Sequence, residues 1–229
     1  MSGEGGAGGQ GAGGQAMPSR LAPSRILRET RVVAVLRADD AAAYDPVVDV
    51  LIANGVRSIE FTLTTPGTLA RLPAIRERVG ADAELGVGTV VSVDDVHRAI
   101  DAGADYLVTP VTRDEVVVAA VAAGVPVFPG GLTPTELHRG WELGATAVKV
   151  FPAETVGPRY GAHLRGPFPG LRFVPSGGVG LDDIRPWLEA GAVAVSLGGP
   201  LLGDALAGGS LDALAARARA AADAARPAS

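Results

Sequence analysis

Short β-branched runs alternate with Ala/Leu-rich stretches eight times along this chain, and that alternation constrains its fold more than any other feature. The runs are RVVAVLR (31–37), SIEFTL (58–63), ELGVGTV (84–90), DYLVTP (105–110), VPVFPG (125–130), AVKVFP (147–152), RFVPSGG (172–178) and AVAVSLG (192–198). Between them, segments such as DPVVDVLIANG, VDDVHRAIDAG and PTELHRGWELG carry charges at helical spacing. Several close on a glycine of the kind that follows a helix C-terminus: Gly55, Gly103, Gly124, Gly144 and Gly191. Strand–helix–strand repetition predicts parallel pairing through right-handed crossovers. The runs are nearly continuous in apolar residues, as a sheet covered on both faces requires. Eight units in 229 residues predict an α/β fold, a (β/α)8 TIM barrel. An amphipathic stretch from Ser19 to Thr30 adds a short N-terminal helix. The alternative is an open doubly wound sheet, with about six strands and a reversal of strand order.

Composition narrows the function. Cysteine is absent, which removes disulfides, thiol catalysis and Cys-ligated metals. The net charge of −5 gives no basic footprint for nucleic acid, so no nucleic-acid partner is expected. No apolar run approaches the roughly 18 residues of a membrane span. Residues 1–17, MSGEGGAGGQGAGGQAM, lack the basic start and apolar core of a signal peptide. Their Gly-rich composition predicts a disordered tail. One catalytic domain is expected over 18–225, with a frayed end at 226–229.

A barrel places its chemistry at the C-terminal ends of the strands. Polar or unusual residues there are Arg37, Glu60, Thr62, Thr89, Thr109, Pro110, Lys149, Ser176 with Gly177 and Gly178, and Ser196 with Gly198 and Gly199. Lys149 stands out because it is the only lysine; the other basic residues are all arginine. Period-two alternation puts Lys149 with Ala147 and Phe151 on the interior face, and Val148 and Val150 on the face that packs against helices. Desolvation favours the uncharged form of an amine, and an uncharged lysine can attack a carbonyl to form a Schiff base. Arginine stays protonated and cannot. The competing role is a structural ion pair with Glu60.

Glu60 shares a strand face with Thr62 and can shuttle protons through water during such a reaction. Arg37 can clamp a carboxylate in bidentate fashion. The glycine turns after the seventh and eighth strands, PSGGVG and SLGGPLLG, can present backbone amides to a phosphate. The three histidines, His97, His138 and His163, fall in helix-like or loop segments, so no metal and no cofactor are expected. Two rivals share this architecture: a phosphate-binding isomerase or epimerase with Glu60 as base, and a sugar-phosphate-binding barrel without catalysis.

The motifs VVAVLRA, IEFTLTTP, GVGTV, YLVTP, PGGLTPTEL, VKVFPAETVGP, GPFPGLRFVPSGGV and SLGGPLL follow one another in order. In them the chain, from about Ser24 to its last helix, resembles the class I aldolases that cleave 2-keto-3-deoxy-6-phosphogluconate. Relatives in that group act on 4-hydroxy-2-oxoglutarate and on the phosphogalactonate epimer. The resemblance implies a metal-independent aldehyde-lyase that produces pyruvate from a small keto acid, as in the Entner-Doudoroff pathway. It implies Lys149 as the Schiff-base lysine and Glu60 as the acid/base. By the same resemblance Thr89 holds the pyruvyl carboxylate, with Phe151 and Pro110 lining that pocket. Ser176 before the glycine pair resembles the phosphogluconate enzymes. The chain departs from the pattern at Thr64, where some members carry the carboxylate-binding arginine, and Arg37 can supply that clamp instead. It departs again at Gly199-Pro200, where relatives often have a serine. The family resemblance further implies a cytoplasmic homotrimer.

Overall fold

The computed structural model describes residues 20–227. The tail expected over 1–17 and the last two residues of the expected frayed end lie outside them. The order is α1 (Arg25–Thr30), β1 (Val32–Leu36), α2 (Tyr44–Ala53), β2 (Ser58–Thr62), α3 (Thr68–Val79), β3 (Glu84–Gly88), α4 (Val93–Asp101), β4 (Tyr106–Val108), α5 (Asp114–Ala122) and β5 (Val127–Phe128). It continues through β6 (Gly130–Gly131), α6 (Pro134–Glu142), β7 (Val148–Val150), α7 (Pro158–Arg165), β8 (Phe173–Pro175), α8 (Ile184–Glu189), β9 (Val195–Leu197), α9 (Gly199–Leu202) and α10 (Leu211–Ala225). Among the described residues no helix is long and apolar enough to cross a membrane.

The strands form a mostly parallel, curled sheet in two parts. One has six strands in the order β5-β4-β3-β2-β1-β9, and the other has three in the order β6-β7-β8. A parallel bridge between Ser176 and Ser196 links β8 to β9. The run expected as one strand over 125–130 is divided at Pro129, which has no N–H to give to a ladder. Its flanking carbonyl contacts persist: Thr109 N–H donates to the Phe128 carbonyl at 3.2 Å, and Lys149 N–H to the Pro129 carbonyl at 2.8 Å.

Alternation along each strand separates two apolar layers. Val32, Ile59, Phe61, Leu85, Val87, Leu107, Val148, Val150 and Phe173 face outward into the main core beneath the helices. Each contributes about 1.5–3 kcal/mol on full burial. Val33, Tyr106, Val108, Phe128, Ala147 and Val174 face inward and form a second cluster. Leu27 of α1 belongs to this inner cluster and is 3% exposed. Ser19, where the expected stretch begins, lies outside the described residues; within them the helix starts after Ser24, which caps it by accepting from Leu27 N–H at 2.9 Å. The glycines expected past helix ends all take positive φ, from 71° at Gly124 to 100° at Gly144 and Gly191. A capping box between Thr133 and Glu136 starts α6, with Pro134 in its first turn.

Candidate active site

A cavity of about 720 Å³ opens at the C-terminal ends of the strands. The residues expected for catalysis and for the keto-acid end all line it: Arg37, Glu60, Thr89, Pro110, Lys149 and Phe151. So do those expected at the far end, namely Ser176, Gly177, Gly178, Gly198 and Gly199. The structure brings them together from strands far apart in sequence.

Lys149 is central in β7, in register with Gly130 on one side and Val174 on the other. Its neighbours Val148 and Val150 are fully buried in the outer core, so its side chain points into the sheet's interior. Lys149 is 9% exposed, and its Nζ lies 5.0 Å from the centre of the Phe151 ring. Such a contact suits a cation over an aromatic face.

Glu60 stands on β2 opposite Val35 and Gly86 and is 2% exposed. Burial pushes its carboxyl above the ordinary range, while the nearby charges of Lys149 and Arg37 pull it down; burial prevails. Arg37 is exposed at the cavity rim. The turn after it is held by Ala38 N–H, which donates to Thr65 Oγ1 at 3.0 Å.

Thr89 follows β3 with φ 63°. A β-branched residue in the left-handed region is strained by roughly 1–3 kcal/mol, and such strain persists only where the surroundings fix it. Ser176 is 4% exposed, and its Oγ donates to Ser196 Oγ at 3.3 Å. Gly177 and Gly178 take φ of 85° and 73°. A side chain at Gly177 would also meet the Phe151 ring at 2.9 Å. In α9 Pro200 has no N–H, and Leu201 and Leu202 N–H both donate to the Gly198 carbonyl at 3.0 Å.

Three polar strand-end residues singled out in the sequence do not line the cavity. Thr62 Oγ1 donates to the Leu36 carbonyl at 3.2 Å, and Thr109 Oγ1 to the Val111 carbonyl at 2.5 Å. Ser196 is occupied by Ser176. Conversely, Asp39, Leu202 and Leu206 line the cavity without having been singled out. Thr64, noted only as a departure, lines it too. Among the described residues no group of three or more His, Asp or Glu is placed to hold a metal ion.

The profile of the KDPG and KHG aldolase family matches residues 24–215. A 2-dehydro-3-deoxy-phosphogluconate aldolase of Treponema pallidum is 36% identical over 163 residues, covering 71% of this chain and 76% of that protein. One from Dickeya dadantii is 34% identical over 197 residues, covering 85% of this chain and 92% of the relative. A 2-dehydro-3-deoxy-6-phosphogalactonate aldolase of Escherichia coli is 33% identical over 174 residues, with coverage of 74% and 83%. Among solved structures, a native KDPGal structure superposes with TM-score 0.78 at 32% identity, covering 84% of this chain and 93% of that one. The 2-keto-3-deoxy-6-phosphogluconate aldolase of Zymomonas mobilis, solved with 3-phosphoglycerate, gives TM-score 0.76 at 28% identity, with coverage of 86% and 93%. A profile match over most of the chain, together with relatives above 30% identity, shows that the chain belongs to the KDPG and KHG aldolase family, whose members are lyases.

Proposed function

We propose that this protein cleaves 2-keto-3-deoxy-6-phosphogluconate to pyruvate and glyceraldehyde 3-phosphate through a Schiff base on Lys149. The observation that carries the reading is the meeting of Lys149 and Glu60 in one cavity, 9% and 2% exposed. The names of the relatives from Treponema pallidum and Dickeya dadantii support the substrate.

Lys149 first passes its ammonium proton through water to the Glu60 carboxylate, and the free Nζ then adds to the C2 ketone and gives a carbinolamine. Loss of water, with Glu60 donating the proton through a bridging water, forms the iminium. The Glu60 carboxylate then takes the C4 hydroxyl proton back through the bridging water as the C3–C4 bond breaks, and the bonding pair moves into the iminium to form an enamine. The aldehyde leaves, Glu60 returns the proton through water to C3 of the enamine, and water hydrolyses the resulting iminium to pyruvate and the free amine. Arg37 and Thr89 hold the carboxylate, and Pro110 and Phe151 wall the pyruvyl group. Ser176, Gly177, Gly178, Gly198 and Gly199 receive the phosphate end. The 3-phosphoglycerate in the Zymomonas mobilis relative supports a phosphorylated three-carbon ligand.

In this reading the residues from 127 to 131 act as one strand, and eight strands close a (β/α)8 barrel as a single catalytic domain over 18–225. The Ser176–Ser196 bridge and the contacts flanking Pro129 support closure. The resemblance supports a homotrimer in the cytoplasm, which sedimentation equilibrium and fractionation test. A second reading, cleavage of the shorter, unphosphorylated 4-hydroxy-2-oxoglutarate, is favoured by Pro200, which offers a phosphate neither a hydroxyl nor an N–H. Rates of pyruvate release from the phosphogluconate, phosphogalactonate and oxoglutarate substrates decide between them. A higher kcat/KM on the first supports the main reading, and no pyruvate from any of the three overturns both.

A further inference from the structure

The inner face of β3 is unusual in presenting Glu84, Gly86 and Gly88, while Leu85 and Val87 fill the outer core. The two glycines leave two slots, and different groups occupy them. A Cβ at Gly86 would fall 2.1 Å from atoms of the Tyr106 ring. That ring is fixed by Ser58 Oγ, which donates to its hydroxyl at 3.2 Å, and by edge contact with Phe128 at 5.6 Å between ring centres. A Cβ at Gly88 would fall on Glu60 Oε1, 2.6 Å from its Cδ and 2.8 Å from its Cγ.

Glu60 is in register with Gly86, and Gly88 is in register with Thr62. The Glu60 side chain therefore does not lie over its own ladder partner, whose slot Tyr106 fills. It leans one residue pair further toward the strand ends, across Gly88 and into the cavity that holds Lys149. We propose that Gly88 is a positioning residue: its missing side chain is the space in which the Glu60 carboxyl lies when it serves the reaction. This inference rests on the reading of Glu60 as proton shuttle.

Gly88 does not take a positive φ, so alanine fits its backbone without strain. The group it would displace is the flexible Glu60 side chain from Cγ outward, so the fold can accommodate it by turning that side chain to another rotamer. At Gly86 the displaced group is a buried ring held on two sides. Gly88→Ala should therefore act on catalysis, and Gly86→Ala on stability.

The test measures kcat, KM and Tm for Gly88→Ala, Glu60→Ala and the double variant. Loss of general acid–base help predicts a kcat about 10²-fold lower for Gly88→Ala, with KM and Tm little changed. Because Gly88 acts only through Glu60, the double variant should match Glu60→Ala within about twofold. Gly88→Ala at full kcat, or a loss that multiplies onto that of Glu60→Ala, overturns the proposal while leaving the Glu60 reading intact. Full activity in Glu60→Ala overturns that reading, and the inference with it. If Gly88→Ala does not fold, the double variant must fold, because truncating Glu60 removes the atoms in the way; an equally unfolded double variant refutes the assignment.

Discussion

Glu60 stands on the six-stranded part of the sheet and Lys149 on the three-stranded part, yet both line one cavity and the lysine charge acts on the glutamate carboxyl. Burial outweighs that attraction and raises the Glu60 carboxyl above its usual value of 4.5. A raised folded-state value favours the protonated folded form, so this contribution to stability is full below pH 4.5 and is lost as pH rises through the folded value. Glu60→Gln, which stays neutral, should therefore unfold at higher temperature than the native protein at pH 8 and show little difference near pH 4. The same variant should lose about 10²-fold in kcat. Thermal melts across that pH range, with activity assays, check both; a variant less stable at pH 8 than at pH 4, relative to the native protein, would contradict the account.

Arg37 should act through its planar fork on the substrate carboxylate. A charged hydrogen bond is worth about 1.5–3 kcal/mol, so Arg37→Ala should lower kcat/KM by roughly ten- to hundredfold. Arg37→Lys should recover only part, because an ammonium cannot reproduce bidentate geometry. Steady-state kinetics on the preferred keto acid test this, and equal rates in all three proteins would remove Arg37 from the site.

At Thr89, function and stability should pull in opposite directions. Glycine there relieves the strain of φ 63°, so Thr89→Gly should gain about 1 kcal/mol of stability in urea titration. Its kcat/KM should fall, since the hydroxyl proposed to hold the carboxylate is gone. Thr89→Ser should keep most of the activity.

The floor of the sheet depends on α1. Leu27 is 3% exposed in the inner cluster, and Leu27→Ala should destabilise by about 2–5 kcal/mol. Ser24→Ala removes the helix cap and should lose about 1 kcal/mol. Equilibrium unfolding measures both, and a larger effect from the cap than from the leucine would argue against this packing.

The alternation of Ala147, Lys149 and Phe151 with Val148 and Val150 was readable because the two faces of that strand differ in chemistry. The strand-end rule likewise found the polar residues that converge on the cavity. It also flagged Thr62, Thr109 and Ser196, because a hydroxyl that bonds a carbonyl or bridges a sheet seam looks the same in sequence as one that meets a ligand. Asp39 escaped notice because it lies in an irregular segment after β1, and Leu202 and Leu206 because they lie in helical turns after β9 too short for periodicity to assign a face. The break at Pro129 was hidden inside an apolar run, since hydrophobicity says nothing about a missing N–H. Glu84, at the start of β3, is 6% exposed, and its Oε1 has no hydrogen-bond partner among the described residues, which no periodicity signals. The slots over Gly86 and Gly88 depend on which neighbours lean into them, and only the folded arrangement reveals that.

Lys149 as the covalent centre is the claim on which the rest depends, and it has a direct test. The protein is treated with pyruvate and borohydride, digested and mapped by mass spectrometry. Because Lys149 is the only lysine, a side-chain imine has one place to form. The account predicts a reduced pyruvyl adduct on the peptide containing Lys149, and no adduct or aldolase activity in Lys149→Ala. An unmodified Lys149 peptide, together with a Lys149→Ala protein that cleaves the keto acid at the native rate, would contradict it.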